Sequence, residues 1–249
     1  MRESSAHASF PSLTVIMPVY NEETSVGHVI EEHLAVLEQM RDELKSWEIL
    51  CLDDGSTDRT WEVLQTMQAH HPSVRLLRHE RNAGIHQSLL DLYHAVQGSY
   101  VYVTASDGQW PATNLYSLWQ ELKKSDADLV VGIRRNRRRV YGLWRLIISA
   151  FFNLLPLLLF GVKTGDAGSN KLGRSEIFRV PIVSRSPFAE AERIIKARIA
   201  GYRVGFAAIE FLPRTGGKTT GASWKNILSS LRDVARCVGQ YGLHPRKRS

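Results

Sequence analysis

The sequence predicts an α/β protein: a doubly wound, mostly parallel sheet with flanking helices. Strands alternate with helices over about 130 residues, the signature of βαβ units. Polar residues stand where several apolar runs end, as expected if ligands bind beyond the carboxyl ends of parallel strands. The chain of 249 residues is long enough for one large α/β domain or two small ones.

Residues 13–20, "LTVIMPVY", form a β-rich apolar run, and 21–40 carry helical spacing, with Val26, Val29, Ile30, His33, Leu34 and Leu37 on one face. "WEILCLD" (47–53) is the second strand; a helix follows over 58–71, ended by Pro72. "VRLLRH" (74–79) is a third strand, and the helix over 84–98 closes at Gly98. Strand 100–106, helix 112–125 and strand 127–133 complete the alternation. The candidate strand ends are 18–22, 53–54, 105–109 and 132–135.

The remainder differs. Residues 140–161, "VYGLWRLIISAFFNLLPLLLFG", hold one charge and would make a helix of roughly 33 Å. Arg145, Ser149 and Asn153 recur every four residues as a thin polar stripe, and Pro156 interrupts the run. Three readings stay open: a helix lying in a membrane interface, a helix pair packed within the protein or a dimer, and a transmembrane span. The preceding "RRNRRR" suits anionic lipid at about 1 kcal/mol per arginine, or is a solvated basic loop. A glycine-rich turn is expected over 163–178, then helix, turn and strand over 188–211. A flexible basic loop follows over 212–224. An amphipathic helix over 223–242 places Trp224, Ile227, Leu228, Leu231, Val234 and Val238 on one side, before a basic tail.

The net charge of +7 suits a polyanionic partner such as nucleic acid, anionic membrane or a phosphate-bearing substrate. Nucleic acid is disfavoured, because aromatics are not interleaved with the basic run as stacking platforms would be. Cys51 and Cys237 make neither a disulfide framework nor a zinc site, so a reducing compartment is the default. The polar first residues do not read as a signal peptide. His28, His33, His70 and His71 read as packing, surface or helix-end residues, and Trp110 as packing.

The adjacent carboxylates in "ILCLDDGSTDRT" (49–60) are the first sign of a site. Burying two like charges costs several kcal/mol unless cations or hydrogen-bond donors receive them. They mark either a plain strand-to-helix turn with Asp58 as N-cap or a ligand site at a strand end.

In order and spacing, "VIMPVYNEE", "LDDGSTDRT", "RNAGIHQSL" and "SDGQWP" resemble glycosyltransferase family 2, and within it the polyprenyl-phosphate sugar transferases of the dolichyl-phosphate mannose synthase kind. The resemblance covers roughly residues 12–225. It implies a GT-A-type domain over 12–225, a disordered 1–11, and a C-terminal helix and tail over 226–249. It also implies an inverting transfer from a nucleotide-diphosphate sugar to a polyprenyl phosphate. Pro18, Tyr20, Glu22, Asp53 and Asp54 would bind the nucleoside. The family's Asp-x-Asp-x-Gln element ligates Mg²⁺ or Mn²⁺; here it reads Ala105, Asp107, Gln109, so the first carboxylate is absent. Arg134 matches the arginine after the next strand, and Arg145, Arg214 and Lys218 match basic positions at the donor or acceptor phosphates. Two glycines before Lys218 give that loop the freedom of a lid. Asp166 matches the Asp of an Asp-x-x-Ser-Gly turn whose Gly is Asn170 here. Catalysis would thus rest on Asp107, Arg134 and Asp166.

An ionised phosphomonoester, with a second pKa of about 6, attacks without a general base. A hydroxyl acceptor needs one, for which Asp166, Glu190 and Glu192 are candidates. The expected setting is the cytoplasmic face of a membrane, with peripheral attachment and a membrane-anchoring partner subunit or homo-oligomer. The alternatives are a family member using a soluble hydroxyl acceptor and a non-catalytic nucleotide-sugar-binding homologue.

Overall fold

The computed structural model describes residues 11–135, 143–213 and 224–244, without the side chains of Leu143 and Arg145. Arg214, Lys218, the termini and most of the arginine run therefore lie outside the described residues.

The first part alternates as its sequence predicts: β1 (Ser12–Val19), α1 (Val26–Gln39), β2 (Ser46–Asp53), α2 (Thr60–His70), β3 (Val74–Arg78), α3 (Ile85–Ala95), β4 (Tyr100–Val103), α4 (Thr113–Ser125) and β5 (Leu129–Arg134). Then come α5 (Leu143–Phe160), β6 (Lys171–Arg174), α6 (Ser175–Arg179), α7 (Ala189–Ile199), β7 (Val204–Ile209) and α8 (Trp224–Tyr241). These strands form a seven-stranded sheet of order β3-β2-β1-β4-β6-β5-β7. All neighbours are parallel except β6, which runs antiparallel to both β4 and β5.

Seven of the eight β1 residues are buried, so the strand reads as a continuous apolar run; it is covered on both faces. Val15 and Met17 enter one core with α1, α2 and α4, while Ile16 enters the other with α3, α6 and α7. The strand order reverses between β1 and β4, since β2 and β3 lie on one side of β1 and β4 on the other. Ligands of such sheets bind in the crevice at that reversal.

One expectation is corrected. The predicted glycine-rich turn over 163–178 contains β6 and α6. β6 is only "KLGR", too short for a visible alternation, and its buried lysine hides it further. Among the described residues no helix is long and apolar enough to cross a membrane. The 18 residues of α5 come to about 27 Å against a hydrocarbon core of about 30 Å. One side of α5 packs on the protein through Phe152, Leu155 and Leu159.

Candidate active site

The ends of β1, β2 and β4 meet on one rim. Asp54 N–H donates to Val19 O (2.8 Å) and Ser106 Oγ to Pro18 O (3.2 Å). Two motif loops interlock above it. Asn21, in the left-handed region at φ 53°, accepts from Thr57 N–H at 2.9 Å through Oδ1, and its own N–H donates to Ser56 Oγ at 2.9 Å. Glu22 N–H donates to Thr60 Oγ1 (2.8 Å), and Arg59 N–H to Glu23 Oε2 (2.9 Å). Asp58 Oδ1 accepts from Thr60 N–H at 3.0 Å, but the helix is capped at Arg59 without a side-chain capping bond, so Asp58 braces the turn one residue before the expected N-cap position. Gly55, at φ +69°, passes so close to Arg81 that an added Cβ would lie 2.6 Å from its carbonyl carbon. Glycine is required there on both counts.

Internal donors receive both paired carboxylates. Asp53 is fully buried: Oδ1 accepts from Ser56 N–H (3.1 Å), and Oδ2 lies 3.1 Å from Arg78 Nε. Asp54 accepts from Ala83 N–H (2.9 Å), Gly84 N–H (2.8 Å) and His79 Nδ1 (2.7 Å). A carboxylate offers about four acceptor positions, so Asp54 retains one. His79 Nε2 is 3.0 Å from Asp91 Oδ2. The bond to Asp54, and then the one to Asp91, raise the His79 pKa against the effect of burial. Tyr20 is exposed on the rim, Glu22 half-buried and Pro18 buried.

Asp107 and Gln109 lie on the loop after β4. Gln109 N–H donates to Asp107 Oδ1 (3.1 Å). The Gln109 amide nitrogen donates to Leu212 O (3.0 Å), which turns its carbonyl oxygen the other way. Among the described residues no three His, Cys, Asp or Glu side chains gather as a metal cluster. One carboxylate and one amide oxygen nonetheless suit a hard cation that keeps waters and takes its remaining oxygens from a diphosphate.

Two cavities flank the turn after α5. The smaller, about 200 Å³, opens beside the β1/β4 rim and is bordered by Pro18, Ala105, Trp110, Asn170, Lys171 and Glu190. Ser169 Oγ, buried and without a hydrogen-bond partner among the described residues, borders it too. The larger, about 280 Å³, is lined by the Arg134–Asp166 pair, by Ile148, Phe152, Phe188 and Ile227, and by the polar Asn153 and Asn226. Gly168 borders both.

Arg134 and Asp166, widely separated in sequence, form a buried bidentate ion pair through Nε and Nη2. The guanidinium also lies 5.4 Å from the Trp110 ring centre and 5.2 Å from that of Phe211. These contacts fix its plane. The turn bearing Asp166 is held from below by Lys171, whose Nζ donates to Ala167 O (2.7 Å) and Ser169 O (3.0 Å) and pairs with Glu190 Oε2 (3.0 Å). Burial raises the Glu190 pKa, but Lys171 and Arg193 outweigh it and hold the carboxyl below the usual range. Glu192 accepts from Val183 N–H, Ser184 N–H and Tyr241 OH. Glu190 therefore serves as a structural anion, unlike a base poised near neutrality, while Glu192 is engaged by three donors of the framework. Asn170 likewise has a framework role, donating to Val103 O at 2.9 Å.

Sequence reasoning missed Lys171, Arg193, His79 and the aromatic pair Trp110–Phe211 as parts of this assembly. The "EAER" spacing of Glu190 and Arg193 was the available signal for the buried charge network.

A sheet of this order, with polar strand ends at the reversal, is the GT-A-type fold of glycosyltransferases. The chain belongs to glycosyl transferase family 2, whose family model matches residues 14–180. It is 29% identical over 212 residues to a dodecaprenyl-phosphate galacturonate synthase of Rhizobium johnstonii, covering 82% of this chain and 60% of the relative. It is 32% identical over 167 residues to an undecaprenyl-phosphate 4-deoxy-4-formamido-L-arabinose transferase of Salmonella paratyphi A, covering 65% and 48%. The chain thus spans about half to three fifths of these curated relatives. In fold it is similar to mannosyl-3-phosphoglycerate synthase from Rubrobacter xylanophilus, with a TM-score of 0.71, 16% identity and coverage of 93% and 75%. It is also similar to glucosyl-3-phosphoglycerate synthase from Mycobacterium tuberculosis, solved with Mn²⁺ and UDP, with a TM-score of 0.65, 17% identity and coverage of 94% and 81%.

Proposed function

We propose that this chain is an inverting glycosyltransferase that moves a sugar from a nucleotide-diphosphate sugar to a polyprenyl phosphate at a membrane surface. The observation that carries this is the larger cavity, which brings the Arg134–Asp166 pair together with apolar side chains of helices α5 and α8. Such a lining suits an ionic headgroup joined to a hydrocarbon chain. The names of the curated relatives point the same way.

On the donor side, Pro18, Tyr20, Glu22 and the remaining acceptor position of Asp54 would hold the nucleoside, with Asp53 bracing the turn beneath. Asp107 and the Gln109 carbonyl would hold Mg²⁺ or Mn²⁺ together with the diphosphate. A bound divalent ion would neutralise charge on the departing diphosphate. Arg134 would orient phosphate oxygens on the wall of the larger cavity, and Asp166 would keep its guanidinium in plane. Arg145, Arg214 and Lys218 would add positive charge around the phosphates. The acceptor phosphate is already ionised at neutral pH. One of its oxygens forms the new bond to C1 as the C1–O bond to the nucleoside diphosphate breaks on the opposite face. No proton has to be removed, consistent with the structural engagement of Glu190 and Glu192.

The test is a panel of nucleotide sugars scored by thermal shift with and without Mn²⁺, followed by turnover with polyprenyl phosphates and with hydroxyl acceptors. Asp107→Ala should abolish the Mn²⁺-dependent part of the donor shift. A shift unchanged in that variant removes Asp107 from the metal site, and turnover only with hydroxyl acceptors overturns the lipid-phosphate reading.

A further inference from the structure

We infer that α5 and α8 together form a docking face for an anionic bilayer, with the larger cavity lying in the seam between them. The two helices run side by side and touch at both ends: the Trp144 and Trp224 rings are 6.2 Å apart, and His244 N–H donates to Leu159 O at 2.9 Å. Between these contacts the helices line the cavity from both sides, α5 through Phe152 and Asn153 and α8 through Asn226 and Ile227.

The sequence placed one apolar side on α8; the structure divides it. Val234 and Cys237 enter the core, whereas Trp224, Leu228 and Leu231 stay exposed, with Trp224 at 69%. On α5, Trp144, Ile147, Phe151, Leu154, Leu157 and Leu158 are exposed as a stripe. Every residue described as exposed on α5 is apolar. The exposed charges of α8 are all cations: Lys225, Arg232 and Arg236, the last paired with Asp233.

This pattern selects the occupant. A contiguous apolar patch of this extent marks an interaction surface, and indole rings favour the boundary between apolar and wet layers. A second copy packing face to face about a twofold axis would set these cations against their own counterparts, with no exposed carboxylate on either helix to receive them. An anionic lipid surface supplies the opposite charge. Docked this way, the seam meets the bilayer and Arg134 belongs to the lining of the cavity that opens there. A lipid phosphate would then enter headfirst while its chain stays in lipid. This rests on the lipid-phosphate reading above.

The test is sedimentation of the full chain with phosphatidylcholine vesicles, with and without about a third phosphatidylglycerol. The expected result is salt-sensitive binding to the anionic vesicles, lost in Leu154→Asp/Leu228→Asp. Lys225→Glu/Arg232→Glu should weaken it at least about 25-fold, since each cation near such a surface is worth roughly fivefold. Both double variants should keep the donor-induced thermal shift, which shows that they are folded. Binding unchanged in the two variants overturns the inference. So does a wild-type dimer that ignores vesicles and dissociates on Leu154→Asp/Leu228→Asp, which would give the face to a second copy. Vesicle binding without any donor shift would instead refute the transferase reading and leave the docking face standing.

Discussion

Arg134→Lys tests whether planar, bidentate geometry on the wall of the larger cavity matters, or only positive charge. Arg134 makes two charge-assisted bonds to Asp166 and lies over two aromatic rings. Lysine keeps the charge but brings one ammonium, which cannot span both carboxylate oxygens in the guanidinium plane. The variant therefore loses about one hydrogen bond to a charged group, roughly 1.5–3 kcal/mol. If that loss is felt when charge moves onto the diphosphate, kcat should fall roughly 10- to 150-fold. The donor KM should change little, because the nucleoside contacts proposed above lie on the β1/β2 rim. The assay is steady-state transfer to a short-chain polyprenyl phosphate in detergent, with the melting temperature measured in parallel. A kcat within twofold of wild type in a normally folded variant would refute the argument, leaving Arg134 as a structural tie for Asp166.

Three further outcomes are expected. His79 gains its two carboxylate partners only on folding, which raises its pKa above the ordinary 6.5. Its stabilisation is complete below about pH 6.5 and is lost as pH rises through the folded value; the melting temperature should fall over that window, and His79→Gln should flatten the fall. Gly55→Ala sets a Cβ into the Arg81 backbone at a left-handed φ; the conformation alone costs about 1–2 kcal/mol, so a melting-temperature loss of at least about 3 °C is expected by calorimetry. Lys171→Met leaves Glu190 with Arg193 as its one charged partner, beside the Tyr93 hydroxyl; a loss of about 3 kcal/mol, or about 6–12 °C, should appear by calorimetry, with transfer slowed because the Asp166 turn is no longer held.

The first half of the molecule was legible because its elements repeat: each strand is an apolar run, and each helix shows a 3.6-residue stripe such as Val26, Val29, Ile30, His33 and Leu37. What stayed hidden depends on contacts between distant segments. Nothing local in "KLGR" announces a central antiparallel strand, because Lys171 is satisfied by carbonyls across the turn and by Glu190 on another helix. The α8 stripe was visible, but its division between core and surface depends on where α5 lies. Asp53 and Asp54 were singled out correctly as costly to bury. Their internal partners, Ser56, Arg78, His79 and the backbone at 83–84, could be recognised only once the loops had met.

The turn over residues 166–171 ties these observations into one device. Its Gly168 borders both cavities, Asp166 at its start orients Arg134, and Lys171 at its end clamps its carbonyls to the sheet. In the transfer proposed above, a sugar passing from the rim to the larger cavity would cross this turn, so its rigidity would set how well the attacking oxygen and C1 align. Alignment errors of about 1 Å cost on the order of 100-fold in rate. That gives the buried lysine and glutamate, an expensive pair to desolvate, a reason to stand where apolar residues would fill the same space: the ammonium draws the turn's carbonyls down into a fixed position, and the carboxylate balances its charge.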